Sequence, residues 1–222
     1  MKSLIELVIK YCICGIILIY GCNVPEQQPK YDLGTVKIGT QEWTAENLNV
    51  SAFRNGDPIP EARTDEDWKR AGIEGTPAWC YYNNDPSNGK KYGKLYNWHA
   101  VNDPRGLCPE GWHIPTHDEW DILIGFLGDD GGKKLKSSAS WDESGNGINS
   151  IGFNATPSGI RYTGGNFADL GRYAHYWTPS ETGSDRSTGL TGAMSYFLSY
   201  RESSIGTFPF RGELKGNGMS LR

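Results

Sequence analysis

At 222 residues the chain is long enough to bury a sizeable core and lies within the range of a single domain. Its 22 Lys and Arg stand against 26 Asp and Glu, a net charge of −4, which excludes the basic footprint of a nucleic-acid-binding protein. With 29 Gly, 12 Pro, 8 Trp and 12 Tyr, the composition favours short strands and tight turns around an aromatic core and excludes a bundle of long helices.

The chain opens on "MKSLIELVIKYCICGIILIYGC". Lys2 and Lys10 precede a short apolar run, Tyr11 to Tyr20, which is too short to span a bilayer and has the length of a secretory h-region. The run ends in "IYGC", which resembles the bacterial lipoprotein cleavage box, where a small residue precedes the cysteine that takes the lipid; Cys22 is that cysteine. Tyr20 and Glu6 depart from the usual pattern. This reading divides the chain into a lipoprotein signal peptide over 1–22, a polar tether over 23–34 and one domain over 35–222, exported and lipid-anchored at the outer membrane or cell surface. Lys2, Lys10 and Glu6 leave with the signal, so 20 basic residues face 25 acidic ones in the mature chain, about −5. Of five cysteines, Cys12 and Cys14 also leave and Cys22 carries the anchor, so only Cys80 and Cys108 remain in the domain. An exported compartment permits a disulfide between them, and two buried thiols are the other reading. Neither shows the CxxC spacing of a zinc site or a neighbouring His or Asp that would activate a nucleophile.

Residues 35–43, "TVKIGTQEW", alternate apolar and polar around Gly39-Thr40 and predict a hairpin with a two-residue turn. "TDEDWKRA", 64–71, has Thr64 as N-cap and acids in the first turn, and predicts a short helix. "YYNNDPSNGKKYG", 81–93, is dense in turn formers and reads as an exposed loop. "KLYNWHAV", 94–101, reads as a short helical turn with Leu95 and His99 four apart. The region after about 150 reads as short strands divided by Gly, Ser and Asn, while "GDDGGKK" and "ETGSDRSTGLTG" read as loops.

"CPEGWHIPTHDEW", Cys108 to Trp120, sets His113 and His117 four residues apart beside Asp118 and Glu119, in the manner of a metal site. Helix physics dissolves the pair. Thr116 followed three residues later by Glu119 is a capping box, so the helix starts at His117 and runs to about 127. Trp120, Leu123, Ile124 and Leu127 form its buried stripe, and Gly128 supplies the stop. His113 precedes Pro115 outside that helix and shares no face with His117. No metal site is expected, and the acids are explained by the helix dipole.

"VKIGTQEWTAENLNV", "YYNNDPSNGKKYGKLYNWHAV", "RGLCPEGWHIPTHDEWDIL", "GFNATPSGIR" and "YWTPSE" together resemble the successive signatures of the Fibrobacter succinogenes major paralogous domain, from about residue 35 to the end. The resemblance implies an exported or lipid-anchored protein without an established biochemical activity. It also implies an α+β, C-type-lectin-like fold, related to that of the formylglycine-generating enzymes, with short twisted antiparallel sheets, one main helix and much loop. The family pattern continues past "GMSLR" with a further cysteine, the implied partner of Cys108, and has an aromatic where this chain has His99.

The sugar-binding tripeptides EPN and WND of calcium-dependent lectins are absent from the sequence, and Asn83, Asn84 and Asp85 are contiguous, as turn residues are and alternating Ca²⁺ ligands are not. No cysteine follows Cys108, so the late cysteine pair of the formylglycine-generating enzymes has no counterpart. Two functions are weighed. The first is a non-catalytic surface module, attached to the membrane by its lipid, that binds a glycan or a surface protein without any cofactor or catalytic residue. The second is an enzyme of unrecognised type on the formylglycine-generating-enzyme-like fold, using Asp or Glu with His99 or His175. Trp43, Trp98, Trp112, Trp120, Trp141 and Trp177 are all expected in the core.

Overall fold

In the computed structural model the described residues are 34–184, 191–207 and 212–222. The signal, Cys22 and most of the tether lie outside them, as do residues 185–190 of the Gly-rich segment read as a loop. The described part falls within one compact unit, Tyr31–Arg222, and none of its helices is long and apolar enough to cross a membrane.

The N-terminal hairpin forms as the alternation predicts. β1 (Thr35–Ile38) pairs antiparallel with β2 (Gln41–Thr44), Ile38 opposite Gln41. Gly39 takes a φ of 60° at the first loop position, where a turn that follows the strand twist wants glycine. α1 (Asp65–Glu74) is capped by the Thr64 hydroxyl, which accepts from the Asp67 amide, and carries three acids in its first turn. It runs three residues beyond the expected end because the left-handed stop is supplied at Gly75, φ 68°.

The segment read as an exposed loop is more structured than its composition suggests. After β3 (Trp79–Cys80), two single turns of 3₁₀ helix lead into α2 (Gly89–Tyr92), and Tyr82 and Tyr92 are buried. Asp85 uses its carboxylate to accept from the Ser87 amide, so a turn former starts a helical turn instead of a free loop. The helical turn expected from 94 begins later. Residues 95–97 form β4 (Leu95–Asn97), and only then does α3 (Trp98–Val101) start, with Asn97 capping the Ala100 amide. α4 (His117–Leu127) matches its expectation, capping box and Gly128 stop included. "GDDGGKK" is corrected from loop to helix, since α5 (Gly131–Leu135) occupies it. A Cβ at Gly132 would stand 2.4 Å from the Ser204 carbonyl oxygen, so these glycines serve close packing and not loop freedom.

The remaining strands are β5 (Ser158–Arg161), β6 (Phe167–Leu170), β7 (Tyr173–Ser184), β8 (Thr191–Ser199), β9 (Ile205–Thr207) and β10 (Gly218–Met219). They join β3 and β4 in one eight-stranded sheet, order β3-β4-β10-β5-β7-β8-β9, with β6 also on β5. The loop read over "ETGSDRSTGLTG" is corrected at its two flanks, where residues 181–184 and 191–192 are the paired ends of β7 and β8. The α+β class holds. The expectation of small, wholly antiparallel sheets does not, because β10 returns between β4 and β5 and fuses them, and β5 pairs with β7 in parallel. Nor is α4 the one main helix, since α1 has 10 residues against its 11. One core cluster packs Trp43, Trp120, Trp141 and Tyr196; a second packs Phe53, Tyr96, Trp98 and Trp177; a third gathers Trp68, Cys80 and Tyr82.

Candidate functional site

The residues of "CPEGWHIPTHDEW" face the N-terminal hairpin across an open cleft. On one side Pro109 to Trp112 make a turn closed by the Trp112 amide donating to the Pro109 carbonyl at 3.1 Å. Gly111 stands at its third position with φ 83°, the conformation that such a turn reserves for glycine. Arg54 clamps both ends of this turn, donating from Nε to the Cys108 carbonyl (3.0 Å) and from Nη2 to the Trp112 carbonyl (3.1 Å). Trp112 is thereby held half-buried against the core edge. Pro115 and the capping box then fix where α4 begins.

On the other side β2 presents Gln41 and Trp43. Gln41 donates from Nε2 to the Glu119 carbonyl (2.9 Å) and accepts from the Trp43 indole (3.2 Å). Trp43 meets Trp120 edge to face at 5.1 Å. The turn of the hairpin rests on α4, where a Cβ on Gly39 would be 3.1 Å from the Phe126 ring. Between these walls lies a cleft of about 420 Å³, bordered by Gln41, Glu42, Trp43, Trp112, His113 and Glu119, with Arg222 also on its wall.

Glu119 is the busiest group here. Its Oε1 bonds His113 Nε2 at 2.8 Å, while Oε2 accepts from the Thr116 amide (2.8 Å) and hydroxyl (3.0 Å). Burial pushes the carboxyl up, but the bonds from Thr116 and His113 outweigh it and hold the group below its ordinary value. Oε2 holds the cap and Oε1 holds His113, so proton uptake at either oxygen would displace one of these partners. His117 points elsewhere. Its Nδ1 meets the Tyr196 hydroxyl, which also lies 2.9 Å from Asp121 Oδ1. Burial, and then Asp121, raise the Tyr196 phenol far above its ordinary value, so it stays protonated and ties the first turns of α4 to β8. His113 and His117 thus serve different partners. Among the described residues no group of three or more His, Cys, Asp or Glu is arranged to hold a metal.

Cys80 and Cys108 are free, buried thiols in different core clusters. Burial pushes each thiol up to about 12, so neither is a thiolate nucleophile near neutral pH. His99 lies beside the C-cap of α1, its imidazole pushed below its ordinary value by burial and then by Lys215. His175 is brought within 3.3 Å of Asp169, a pairing that spacing alone did not show. Neither lines the cleft. Trp43, Trp98, Trp120, Trp141 and Trp177 are core as expected, but Trp112 is not. The signal that identifies it was the Pro-Glu-Gly turn just before it. Gln41 and Glu42 were missed, because strand alternation says only that one face is polar and not what it faces.

A family model, the Fibrobacter succinogenes major domain, matches residues 36–222. No curated protein and no solved structure matches the chain.

Proposed function

The chain belongs to the Fibrobacter succinogenes major domain family, and from that premise and the cleft between β2 and the Trp112 turn we propose that it is a non-catalytic, lipid-anchored module of the outer membrane or cell surface that binds glycan. The observation that carries this reading is the lining of the cleft. A half-exposed indole, Trp112, stands beside Gln41, Glu42 and His113, an apolar face next to donors and acceptors, as a sugar ring with its apolar face and hydroxyl rim requires. The commitment of Glu119 to the helix cap supports binding over catalysis. A C-type-lectin-like affiliation of the α+β fold belongs to the same proposal.

A glycan array probed with the detergent-solubilised, full-length chain tests it. A defined set of glycans should bind, and Trp112→Ala should weaken them about tenfold or more, a loss of roughly 1.4 kcal/mol. A silent array, or binding indifferent to Trp112, would reject the cleft as the site.

A further inference from the structure

Arg54 does not line the Trp112 cleft, yet its contacts govern where the indole of that cleft stands. The Cys108 and Trp112 carbonyls flank the Pro109–Trp112 turn, and among the described residues no other donor reaches either of them. Arg54 supplies both donors from one planar group, Nε at 3.0 Å and Nη2 at 3.1 Å, a fixed fork that no other side chain provides. Trp112 is the last residue of the turn, so the direction of its indole follows the backbone that these two bonds hold.

Arg54 is in turn fixed from behind. Its amide donates to the Gly106 carbonyl at 2.7 Å. The neighbouring Arg105 guanidinium donates to both oxygens of Asp103 at 2.8 Å, reaches Asp57 at 3.2 Å and lies 4.0 Å over the ring of Phe53, a fully buried residue adjacent to Arg54. The loop that carries Arg54 is thus pinned on both sides of it, at Phe53 and at Asp57. We infer that Arg54 is the positioning residue of the Trp112 cleft: it acts from outside, and it sets affinity by holding the indole in its binding orientation before a ligand arrives. The inference rests on the reading of that cleft as the binding site. An indole released to turn freely must be ordered at every binding event, and that ordering costs affinity.

The full-length chain, isotope-labelled and in detergent, is compared with its Arg54→Ala and Arg54→Lys variants. The heteronuclear NOE of the Trp112 indole N–H reads its mobility with no ligand present. It should fall in Arg54→Ala and equally in Arg54→Lys, since an ammonium on a flexible stem does not reproduce a planar two-point clamp. The Trp79, Trp98 and Trp177 indoles, each bonded to a buried carbonyl, should keep theirs. On the glycan array, Arg54→Ala should weaken the glycans that Trp112→Ala weakens, by about three- to tenfold. An equally rigid Trp112 indole in Arg54→Ala, full rescue by lysine, or loosening of all these indoles together, as a merely structural role would give, overturns the inference. So does glycan binding by Arg54→Ala as tight as that of the wild type. An array silent even for the wild type rejects the glycan reading, while a loss of order confined to Trp112 keeps Arg54 as the residue that positions it.

Discussion

Lys94 shows how one residue departs from its usual role. It is 3% exposed, yet its ammonium has no carboxylate within bonding distance among the described residues. It donates to the Asn49 carbonyl (3.0 Å) and the Ser51 hydroxyl (2.8 Å) and lies 4.1 Å above the Trp79 ring. Burial takes its pKa down to about 8, with Glu61 opposing weakly. A lysine whose folded pKa is depressed binds fewer protons folded than unfolded between about 8 and its ordinary value of 10.5, so stability rises with pH across that window. Relative to Lys94→Met, which does not titrate, the wild type should gain on the order of 1–3 kcal/mol between pH 8 and 10.5. Urea unfolding of both proteins at several pH values checks this, and a pH-independent difference would mean that the ammonium is not desolvated. Arg161 solves the same problem with more partners. Fully buried, it donates to the Ala62, Thr64 and Gly165 carbonyls, to Asn84 and to Asp65, and stacks near Trp68 and Phe167. Its planar fork of donors explains why arginine and not lysine stands there. Nothing in "GIRY" announced it, because its acceptors lie up to 99 residues away.

At the scale of the element, α4 was legible almost completely. Its cap, stripe and stop are set by residues within one or two turns of one another, and such short-range rules survive without knowledge of the fold. What α4 packs against was not legible. Trp120 is fully buried, stacked on Tyr196 at 4.8 Å and 5.1 Å from Trp43, residues that come from opposite ends of the domain. The cap and the anchor should therefore weigh differently. Thr116→Ala removes one first-turn acceptor and should cost about 1 kcal/mol. Trp120→Ala empties the centre of a core cluster and should cost about 3–5 kcal/mol, enough to unfold a marginal domain. Denaturant midpoints measure both, and equal losses would mean that the tryptophan is not the anchor.

Across the whole molecule, the two ends of the domain meet. The Arg222 guanidinium donates to the Thr44 carbonyl at 3.0 Å and to the Asn154 carbonyl at 3.0 Å, and the Leu48 amide donates to the Leu221 carbonyl. The hairpin that opens the domain and the segment after β10 thus share a wall, and the Trp112 cleft touches Arg222. On the proposed function, this unit is carried on a lipid at Cys22, upstream of the described residues. Metabolic labelling with a fatty acid should mark the wild type and leave Cys22→Ser unmarked, with the variant released from the membrane fraction. Equal labelling of the two would remove the anchor from the proposal.

The sequence by itself determined the hairpin at Gly39-Thr40, the helix that begins at His117, the β character of the region after 150, though not the 12-residue length of β7, and the separation of His113 from His117. Each of these rests on interactions between residues a few positions apart. The tertiary structure alone decided that β10 fuses the strands into one sheet, that Trp112 faces a cleft, and that Gln41 and Glu119, 78 residues apart, line the same cavity. It also left the Asn47 and Asn49 side-chain oxygens without a donor among the described residues, since the carbonyls that capture their amide hydrogens arrive from elsewhere in the chain. Local propensity carries no information about where a chain returns; that is set by which apolar faces bury one another and which buried polar groups find partners.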